Sequence, residues 1–138
     1  MAPEYRHVTD AELNILQILW DEGKATTRQL ADLIYPDGGV PQYYTVQKLL
    51  ERLEEKGCVL RDRSERAHVF TAALQREELV GARLQELSDK ICGGSLVPML
   101  TELVHLRKLT TDEYELLKDL TKELDKKSQQ KKRGKKSE

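Results

Sequence analysis

The sequence predicts a mainly α-helical protein that contains one short β-hairpin. Apolar residues recur at helical spacing in several stretches of the 138-residue chain, as in the run from Val40 to Gly57. Helix-capping sequences precede several of these stretches, for example at Thr9 and Thr110. Between the helical stretches, two short runs of extended character flank a polar turn, and this arrangement is typical of a hairpin.

The first helix is expected to cover about Ala11 to Glu22. The residues before it form a capping box, in which we expect the Thr9 hydroxyl and the Glu12 carboxylate to close the first turn from both sides. Apolar residues continue at helical spacing to the end of this stretch, and Trp20 is expected to fill space in the core.

The second helix is predicted from Arg28 to about Tyr35, after a threonine cap within residues 24–27. The run Pro36-Asp37-Gly38-Gly39 should break it. The residues expected to face inward are Leu30, Leu33 and Ile34.

The third helix, in the stretch from Val40 to Gly57, has two unlike faces. Pro41 suits its first turn, and Gly57 is the expected left-handed cap past its end. The apolar stripe consists of Val46, Leu49, Leu50 and Leu53. The polar side carries Tyr44, Gln47, Lys48 and Glu51, with Thr45 and Arg52 on one flank. Helices two and three therefore form a helix-turn-helix unit, in which the N-terminal residues of the second helix meet base edges.

After Gly57, the segments 58–62 and 68–71 are predicted as strands around the polar turn Arg63-Ser64-Glu65-Arg66. Three helices followed by a hairpin make a winged helix-turn-helix. Arginines at or beside the hairpin tip, Arg61, Arg63 and Arg66, would reach phosphates or the minor groove. The alternative is a turn that only aids solubility, which the acidic residues Asp62 and Glu65 partly support.

The last third of the chain predicts three more helices, in the ranges 75–91, 96–104 and 111–125. Helices this short cannot bury their apolar stripes alone, so we expect a homodimer in which a second copy covers them. The residues expected at the dimer interface are Leu84, Leu87, Ile91, Leu100, Leu103, Tyr114, Leu117, Leu120 and Leu124.

The predicted organisation is a winged helix-turn-helix domain in residues 1–74, a helical dimerisation region in 75–124 and a disordered basic tail in 125–138. The tail holds seven Lys/Arg and two acids, a net charge of +5; the whole chain carries −1, which leaves −6 for residues 1–124. The tail is either a solvated end or a non-specific contact to nucleic acid. Any DNA contact elsewhere must come from a local basic patch.

The sequence contains no Gly-rich phosphate loop, no Ser-His-Asp or Cys-His arrangement and no HExxH motif. We therefore predict no enzymatic activity and no cofactor. Cys58 and Cys92 lie far apart without metal-ligand spacing and are expected to be buried, reduced thiols. The chain shows no apolar run of membrane length and no signal-peptide core, so we expect a soluble, cytoplasmic protein.

Four segments in order carry a family resemblance. They are Thr9-Asp10-Ala11-Glu12 leading to Ile18-Leu19-Trp20, Tyr43-Tyr44-Thr45-Val46 leading to Leu50 through Gly57, Arg66-Ala67-His68-Val69-Phe70, and Gly94-Ser95. Their order and spacing resemble the penicillinase-repressor family of bacterial transcription regulators (the BlaI/MecI type, with the copper-responsive CopY type as a relation). The resemblance covers about Val8 to Leu124.

The resemblance implies a homodimeric repressor on an operator dyad, with Thr45 and its neighbours in the major groove. Tyr44 occupies a place where the family often has threonine, and Gln47 stands where antibiotic-responsive members carry arginine. It also implies a membrane-bound sensor protease as a partner, which cuts those members at an Asn-Phe pair; here Met99-Leu100 takes that place. The tail has no cysteine, which excludes copper sensing through the C-terminal cysteine motif of the copper-responsive members.

The expected function is that of a sequence-specific DNA-binding repressor. Gln47 would pair with adenine, Lys48 with guanine or phosphate, and Thr45 with a thymine methyl or phosphate. The full set of expected DNA-binding residues is Arg28, Gln29, Tyr43, Tyr44, Thr45, Gln47, Lys48, Arg52, Arg63 and Arg66. The alternative is a winged-helix protein-interaction module without DNA binding, favoured by Glu51 and Glu55 on the outer face of the third helix.

Overall fold

The computed structural model describes residues 8–106 and 109–136, and it has the predicted order of elements with one extra strand. The elements are α1 (Asp10–Glu22), β1 (Ala25–Thr26), α2 (Thr27–Ile34), α3 (Val40–Glu55), β2 (Val59–Asp62), β3 (Val69–Ala72), α4 (Arg76–Lys90), α5 (Val97–Leu106) and α6 (Thr111–Lys136). The mainly α-helical class and the winged helix-turn-helix are thereby confirmed. The chain divides into two compact units, the first ending at Gly93 and the second beginning at Gly94.

Only one of the two hydrogen bonds of the predicted capping box is present at the start of α1. The Thr9 hydroxyl accepts a hydrogen bond from the backbone N–H of Glu12 at 3.2 Å, as expected. The Glu12 side chain does not return to the cap, because it is fully buried and both of its oxygens accept bonds from Lys56 Nζ, at 2.8 and 2.7 Å. Burying a carboxylate without a cation costs more free energy than leaving the helix start without its second capping bond.

Helix α2 begins one residue earlier than predicted and is capped by Thr26, whose side chain accepts from the N–H of Gln29 at 3.2 Å. The Gln29 amide oxygen accepts in turn from the N–H of Thr26 at 2.9 Å. The prediction that Leu33 faces inward is wrong, because its side chain is 56% exposed. An eight-residue helix offers only a narrow inner face, and Leu30 and Ala31 occupy it.

Helix α3 has the predicted apolar stripe and the predicted glycine stop. Val46, Leu50 and Leu53 are fully buried, and Leu49 packs against them at the edge. Gly57 has a φ of 75°, a conformation that favours glycine because it has no Cβ. Two backbone bonds close the helix end, from Gly57 N–H to Glu54 O (3.0 Å) and from Cys58 N–H to Leu53 O (2.8 Å), which is the Schellman pattern.

The sheet has three antiparallel strands in the order β1-β3-β2. The hairpin was predicted to within one residue, and Val59 pairs with Ala72 at one end and Asp62 with Val69 at the other. Strand β1 was not predicted; its Ala25 pairs with Phe70. Two residues are too few to show the alternation that reveals a strand in sequence. The extra strand attaches the hairpin to the connection between α1 and α2.

The core of the first unit lies between the helix-turn-helix and the sheet. Trp20 is half-buried, and its Nε1 donates a hydrogen bond to the backbone oxygen of Leu74 at 2.9 Å. Fully buried apolar side chains at the centre are Ile15, Leu16, Leu19, Leu30, Val46, Leu50, Leu53 and Phe70. Cys58 is buried as predicted, whereas Cys92 is only half-buried because it follows the end of α4; the two are not joined in a disulfide.

Helix α4 belongs to the first unit, although the sequence-based boundary was drawn after residue 74. That boundary followed the change from extended to helical pattern, whereas the compact unit extends further because Leu79 is buried in the core. Other apolar side chains of α4 and of its C-cap residue are exposed: Val80, Leu84, Leu87 and Ile91. These exposed residues include the three that were predicted for a dimer interface on this helix.

The second unit consists of α5 and α6. Ser95 Oγ accepts from the N–H of Val97 at 3.2 Å, and Thr110 and Glu113 form the complete predicted capping box. Helix α6 continues to Lys136, where we expected a disordered tail from residue 125. Lysine, arginine and glutamine are good helix formers, so the absence of apolar residues does not by itself end a helix. The apolar residues predicted for dimerisation in this unit are all exposed: Leu100, Leu103, Tyr114, Leu117, Leu120 and Leu124.

Within the described ranges, no helix is long and apolar enough to cross a membrane. The same ranges hold no group of three or more His, Cys, Asp or Glu side chains placed to share a metal ion.

Candidate nucleic-acid interface

The predicted reading face of α3 is solvent-accessible along its N-terminal half. Tyr44, Thr45 and Lys48 are exposed, whereas Val46, one residue after Thr45, is fully buried. Gln47 is half-buried and lines a cleft together with residues of the wing. Arg52 is also exposed, a full turn after Lys48. The face therefore presents amide, hydroxyl and cationic groups, which can pair with base edges and phosphates.

Two adjacent tyrosines at the start of α3 have different environments. Tyr43 packs against the core, whereas Tyr44 is exposed. Their rings meet edge to face, with centroids 5.9 Å apart and planes at 82°. The Tyr43 ring thus limits the positions that the Tyr44 ring can take, and Tyr44 is the tyrosine placed to contact a ligand outside.

The side chains of Thr45 and Gln29 each make a hydrogen bond to a backbone group. The Thr45 hydroxyl donates to the carbonyl oxygen of Pro41 at 3.0 Å, which leaves its methyl group and oxygen lone pairs for DNA. The amide oxygen of Gln29 is taken up by the cap of α2, so a phosphate would meet only its NH₂ group. Residue spacing does not reveal the Thr45 bond, whereas the Thr26–Gln29 pair matches a capping-box pattern.

A cleft between α2, α3 and the wing brings together four predicted DNA-binding residues. It has a volume of about 260 Å³. The four predicted residues along it are Arg28, Tyr43, Gln47 and Arg66. The rest of its lining consists of Thr26, Thr27, Arg61, Ala67, His68 and Phe70. Three elements that are distant in sequence thus place two exposed arginines beside an amide on the reading helix. We name this feature the wing-side cleft.

A second cleft of about 360 Å³ lies on the other side of Arg28 and Tyr43, at the turn between α2 and α3. Its lining includes Tyr35, Gly38 and Tyr44. At Gly38 the backbone passes so close to the preceding helix that an added Cβ would lie 2.7 Å from the Cβ of Tyr35. Only glycine allows this approach, so the turn holds α3 against α2 in the angle that exposes the reading face.

The three wing arginines have different roles in the structure. The Arg61 guanidinium lies 4.8 Å from the centre of the Phe70 ring, and its Nε is 3.3 Å from Glu54 Oε2. Arg63 is exposed, with Nη2 3.6 Å from the same carboxylate oxygen. Arg66 is exposed on the wing-side cleft. Arg61 is therefore a packing residue. Glu54 was missed in the sequence, because nothing in its spacing from the hairpin shows that the chain folds back onto it.

The start of the hairpin turn is stabilised by Asp62. Its Oδ1 accepts a hydrogen bond from the backbone N–H of Ser64 at 2.9 Å, and this bond is the main reason why the pKa of the Asp62 carboxyl is lowered below its ordinary value. The Ser64 hydroxyl adds to the effect, with smaller contributions from His68 and Lys24. The carboxylate thus orders the turn that carries Arg63 and Arg66.

The chain is similar to several known proteins. The family profile described as penicillinase repressor matches residues 8–123. The chain is 29% identical over 122 residues to an uncharacterised 16.5 kDa protein in the ptsI 3′ region of Latilactobacillus sakei, covering 88% of this chain and 83% of that protein. It is 30% identical over 91 residues to the HTH-type transcriptional regulator MgrA of Staphylococcus aureus, covering 64% of this chain and 58% of MgrA.

Among solved structures, a similar one is the transcriptional regulator Tm0710 from Thermotoga maritima. The identity is 20% and the TM-score 0.45, over 90% of this chain and 78% of that one.

Proposed function

Since the chain belongs to the penicillinase repressor family, which its residues 8–123 match, we propose that it is a sequence-specific DNA-binding repressor that acts as a homodimer on an operator dyad. That it is a transcriptional regulator of the winged-helix type follows from the family and the fold. The repressor role, the dimer and the dyad are the proposal, as is its place of action in the cytoplasm, where bacterial DNA lies.

One observation carries the proposal for DNA binding: the wing-side cleft combines Arg28 and Arg66 with Gln47. In this proposal the two arginines hold phosphates on either side of the groove, and their salt-dependent contacts set the register of the protein. Gln47 then pairs with an adenine, Lys48 with guanine or phosphate, and Thr45 presents its methyl group to thymine. Tyr44 and Arg52 extend the same face, and Gln29 and Arg63 add contacts to the backbone.

The homodimer is proposed from the exposed apolar side chains of α4, α5 and α6. So many exposed large apolar side chains are unusual on a soluble monomer, and a second copy is the simplest cover for them. Two-fold symmetry would place two reading helices about 34 Å apart, or a multiple of it, which matches half-sites one or more DNA turns apart.

A binding selection from random duplexes, followed by footprinting, tests the function. We expect enrichment of an inverted repeat, protection of both half-sites, and log-linear loss of affinity with salt. A protein-docking module without DNA binding would show neither enrichment nor a salt slope. An enriched site without two-fold symmetry would contradict the dimer on a dyad but leave DNA binding in place.

By family analogy we further propose a membrane-bound sensor protease as the inactivating partner. Met99-Leu100, which takes the place of the family's cleavage pair, lies in the first turns of α5, where a helix opens most easily. In induced cells a fragment ending at Met99 is expected, and Met99→Pro should abolish it. Full-length protein throughout derepression would exclude cleavage as the mechanism.

A further inference from the structure

One carboxylate oxygen on α3 forms ion pairs with two arginines of the wing, Arg61 and Arg63. Glu54 Oε2 lies 3.3 Å from Arg61 Nε and 3.6 Å from Arg63 Nη2. Glu54 belongs to the last turns of α3, whereas Arg61 lies in β2 and Arg63 follows it. The negative charge near the end of the reading helix thus offsets part of the positive charge with which the wing would approach DNA.

The two ion pairs are not equivalent. The Arg61 side chain is 17% exposed and lies on the buried ring of Phe70, so its position is determined by packing. The Arg63 side chain is 61% exposed, and its ion pair with Glu54, which is longer than that of Arg61, is open to solvent. Exposed ion pairs contribute little to stability and exchange readily. Arg63 is therefore the partner that can leave Glu54 for another anion.

We propose that Glu54 withholds Arg63 from DNA in the free protein, and that a backbone phosphate takes its place when DNA binds. The inference rests on the proposed function and adds a positioning residue to it, since Glu54 acts through Arg63. A phosphate offers a guanidinium the same forked acceptor geometry as a carboxylate. The dense phosphate charge of a duplex favours the exchange.

This exchange has a consequence for selectivity. Phosphates are present at every site, so a cation released to them strengthens binding to all sequences alike. By keeping Arg63 occupied, Glu54 lowers sequence-independent affinity, and the base contacts of α3 then decide where the protein stays. A regulator must distinguish its operator from a vast excess of other sites, for which weak non-specific binding is an advantage.

The substitution Glu54→Gln tests the proposal, with Glu55→Gln as the matched control. Glu55 is the next residue on α3, is exposed, and loses the same charge when changed. Binding to a random duplex is measured by fluorescence anisotropy over a range of salt concentrations. Glu54→Gln is expected to bind about twofold to fivefold more tightly, which is the scale of one exposed ion pair. Its slope of log affinity against log salt should change by much less than one unit, because Arg63 contacts a phosphate in both complexes, and the control should change the affinity much less.

A double-mutant cycle then identifies Arg63 as the mediator. In an Arg63→Ala background, the gain from Glu54→Gln should shrink to that of Glu55→Gln. As a second measurement, the Arg63 Nε–H signal in NMR should exchange faster with solvent in free Glu54→Gln than in free wild type. Thermal unfolding checks that each variant is folded.

The outcomes separate this inference from the function on which it rests. If Glu54→Gln binds the random duplex no better than Glu55→Gln, or its gain persists without Arg63, the withholding role is wrong although DNA binding stands. Weaker binding by a folded Glu54→Gln would also overturn it and would make Glu54 a support for the wing. If the wild type binds no duplex at low salt, the proposed function itself fails, and this inference fails with it.

Discussion

Gln47 is the residue on which sequence preference should depend most. It lies on the N-terminal half of α3, in the wing-side cleft, with an amide able to form two hydrogen bonds to adenine. Gln47→Ala is expected to cost about 1–3 kcal/mol of discrimination at one base pair and to change affinity for random DNA little. Binding to a panel of single-base operator variants measures this. Gln17→Ala on the exposed surface of α1 is the control, and equal weakening on operator and random DNA would argue against base recognition.

Gly38 is the residue on which the helix-turn-helix angle should depend. A Cβ there would lie 2.7 Å from Tyr35 Cβ and 2.9 Å from Gln42 Cγ, so the backbone must shift to accept it. Gly38→Ala is expected to destabilise the protein by about 1–3 kcal/mol in urea unfolding. The contrasting change is Gly81→Ala, since nothing lies within 4 Å of a Cβ at that helical position. It should stabilise α4 by up to about 1 kcal/mol, and a loss in both variants would contradict the steric explanation.

At the scale of elements, the pair Glu12–Lys56 joins the first turn of α1 to the end of α3. Glu12 is fully buried, and the Lys56 side chain is 19% exposed. Glu12→Gln is expected to lower the free energy of unfolding by about 2–4 kcal/mol, because it removes the charge of one member of a largely buried ion pair. Replacing both partners, as in Glu12→Leu with Lys56→Met, should restore much of the loss. If the double variant is no more stable than Glu12→Gln, charge pairing is not the cause.

The wing is the element that should carry sequence-independent affinity. Arg63 and Arg66 are both exposed at its turn. Arg63→Ala with Arg66→Ala is expected to weaken binding to operator and random duplexes alike, and each lost phosphate contact should lower the salt slope by about one unit. The slope is measured by titrating salt against both duplexes. An unchanged slope would mean that the wing does not touch the DNA backbone.

Patterns among residues close in sequence predicted most of the helices and strands. The features that were not predicted depend on contacts between residues distant in sequence. The helices, the hairpin and the Gly57 stop follow from periodicity and capping residues within a few positions of each other. The pairing of Glu12 with Lys56, and of Glu54 with the wing, joins residues whose proximity only the folded chain reveals. Leu33 was misplaced because a helical wheel assigns it to the apolar side without showing how narrow the contact of α2 is.

In the candidate site, too, some features follow from the sequence pattern and others only from the folded structure. The outward position of Tyr44 and Lys48 on α3 follows from the position of the buried Val46, which the stripe predicted. The bonds of Thr45 and Gln29 to backbone groups are local, between residues three or four positions apart, and a helical wheel does not show them. The meeting of Arg28 with Arg66 across one cleft depends on the angle between elements. Residue spacing carries no information on that angle.

At the scale of the whole molecule, tight operator binding should require two copies of the chain. Leu117 and Leu120 are exposed on α6, one turn apart, within the apolar surface predicted for dimerisation. Leu117→Asp with Leu120→Asp is expected to give monomers that keep a folded first unit and lose tight operator binding, because each half-site alone gains nothing from effective concentration.

Sedimentation of the wild type and of the double variant at micromolar concentration measures the assembly, and circular dichroism checks that the first unit stays folded. Lys122→Glu, at an exposed position of the same helix away from the apolar stripe, changes the net charge by the same two units and is the control for charge. A wild type that sediments as a monomer, or a double variant with full operator affinity, would rule out the dimer.

The pairing of Ala25 with Phe70 also bears on how the first unit folds. The two residues are separated by the whole of α2, α3 and β2, so the third strand cannot join the sheet until those elements have assembled. Closing so long a loop is slow, and it yields its contacts late. The hairpin and the helices should therefore melt in one transition. In hydrogen exchange, the Phe70 amide is expected to exchange only through global unfolding. A chain synthesised only as far as β2 is likewise expected to form no stable, partly folded state of the first unit.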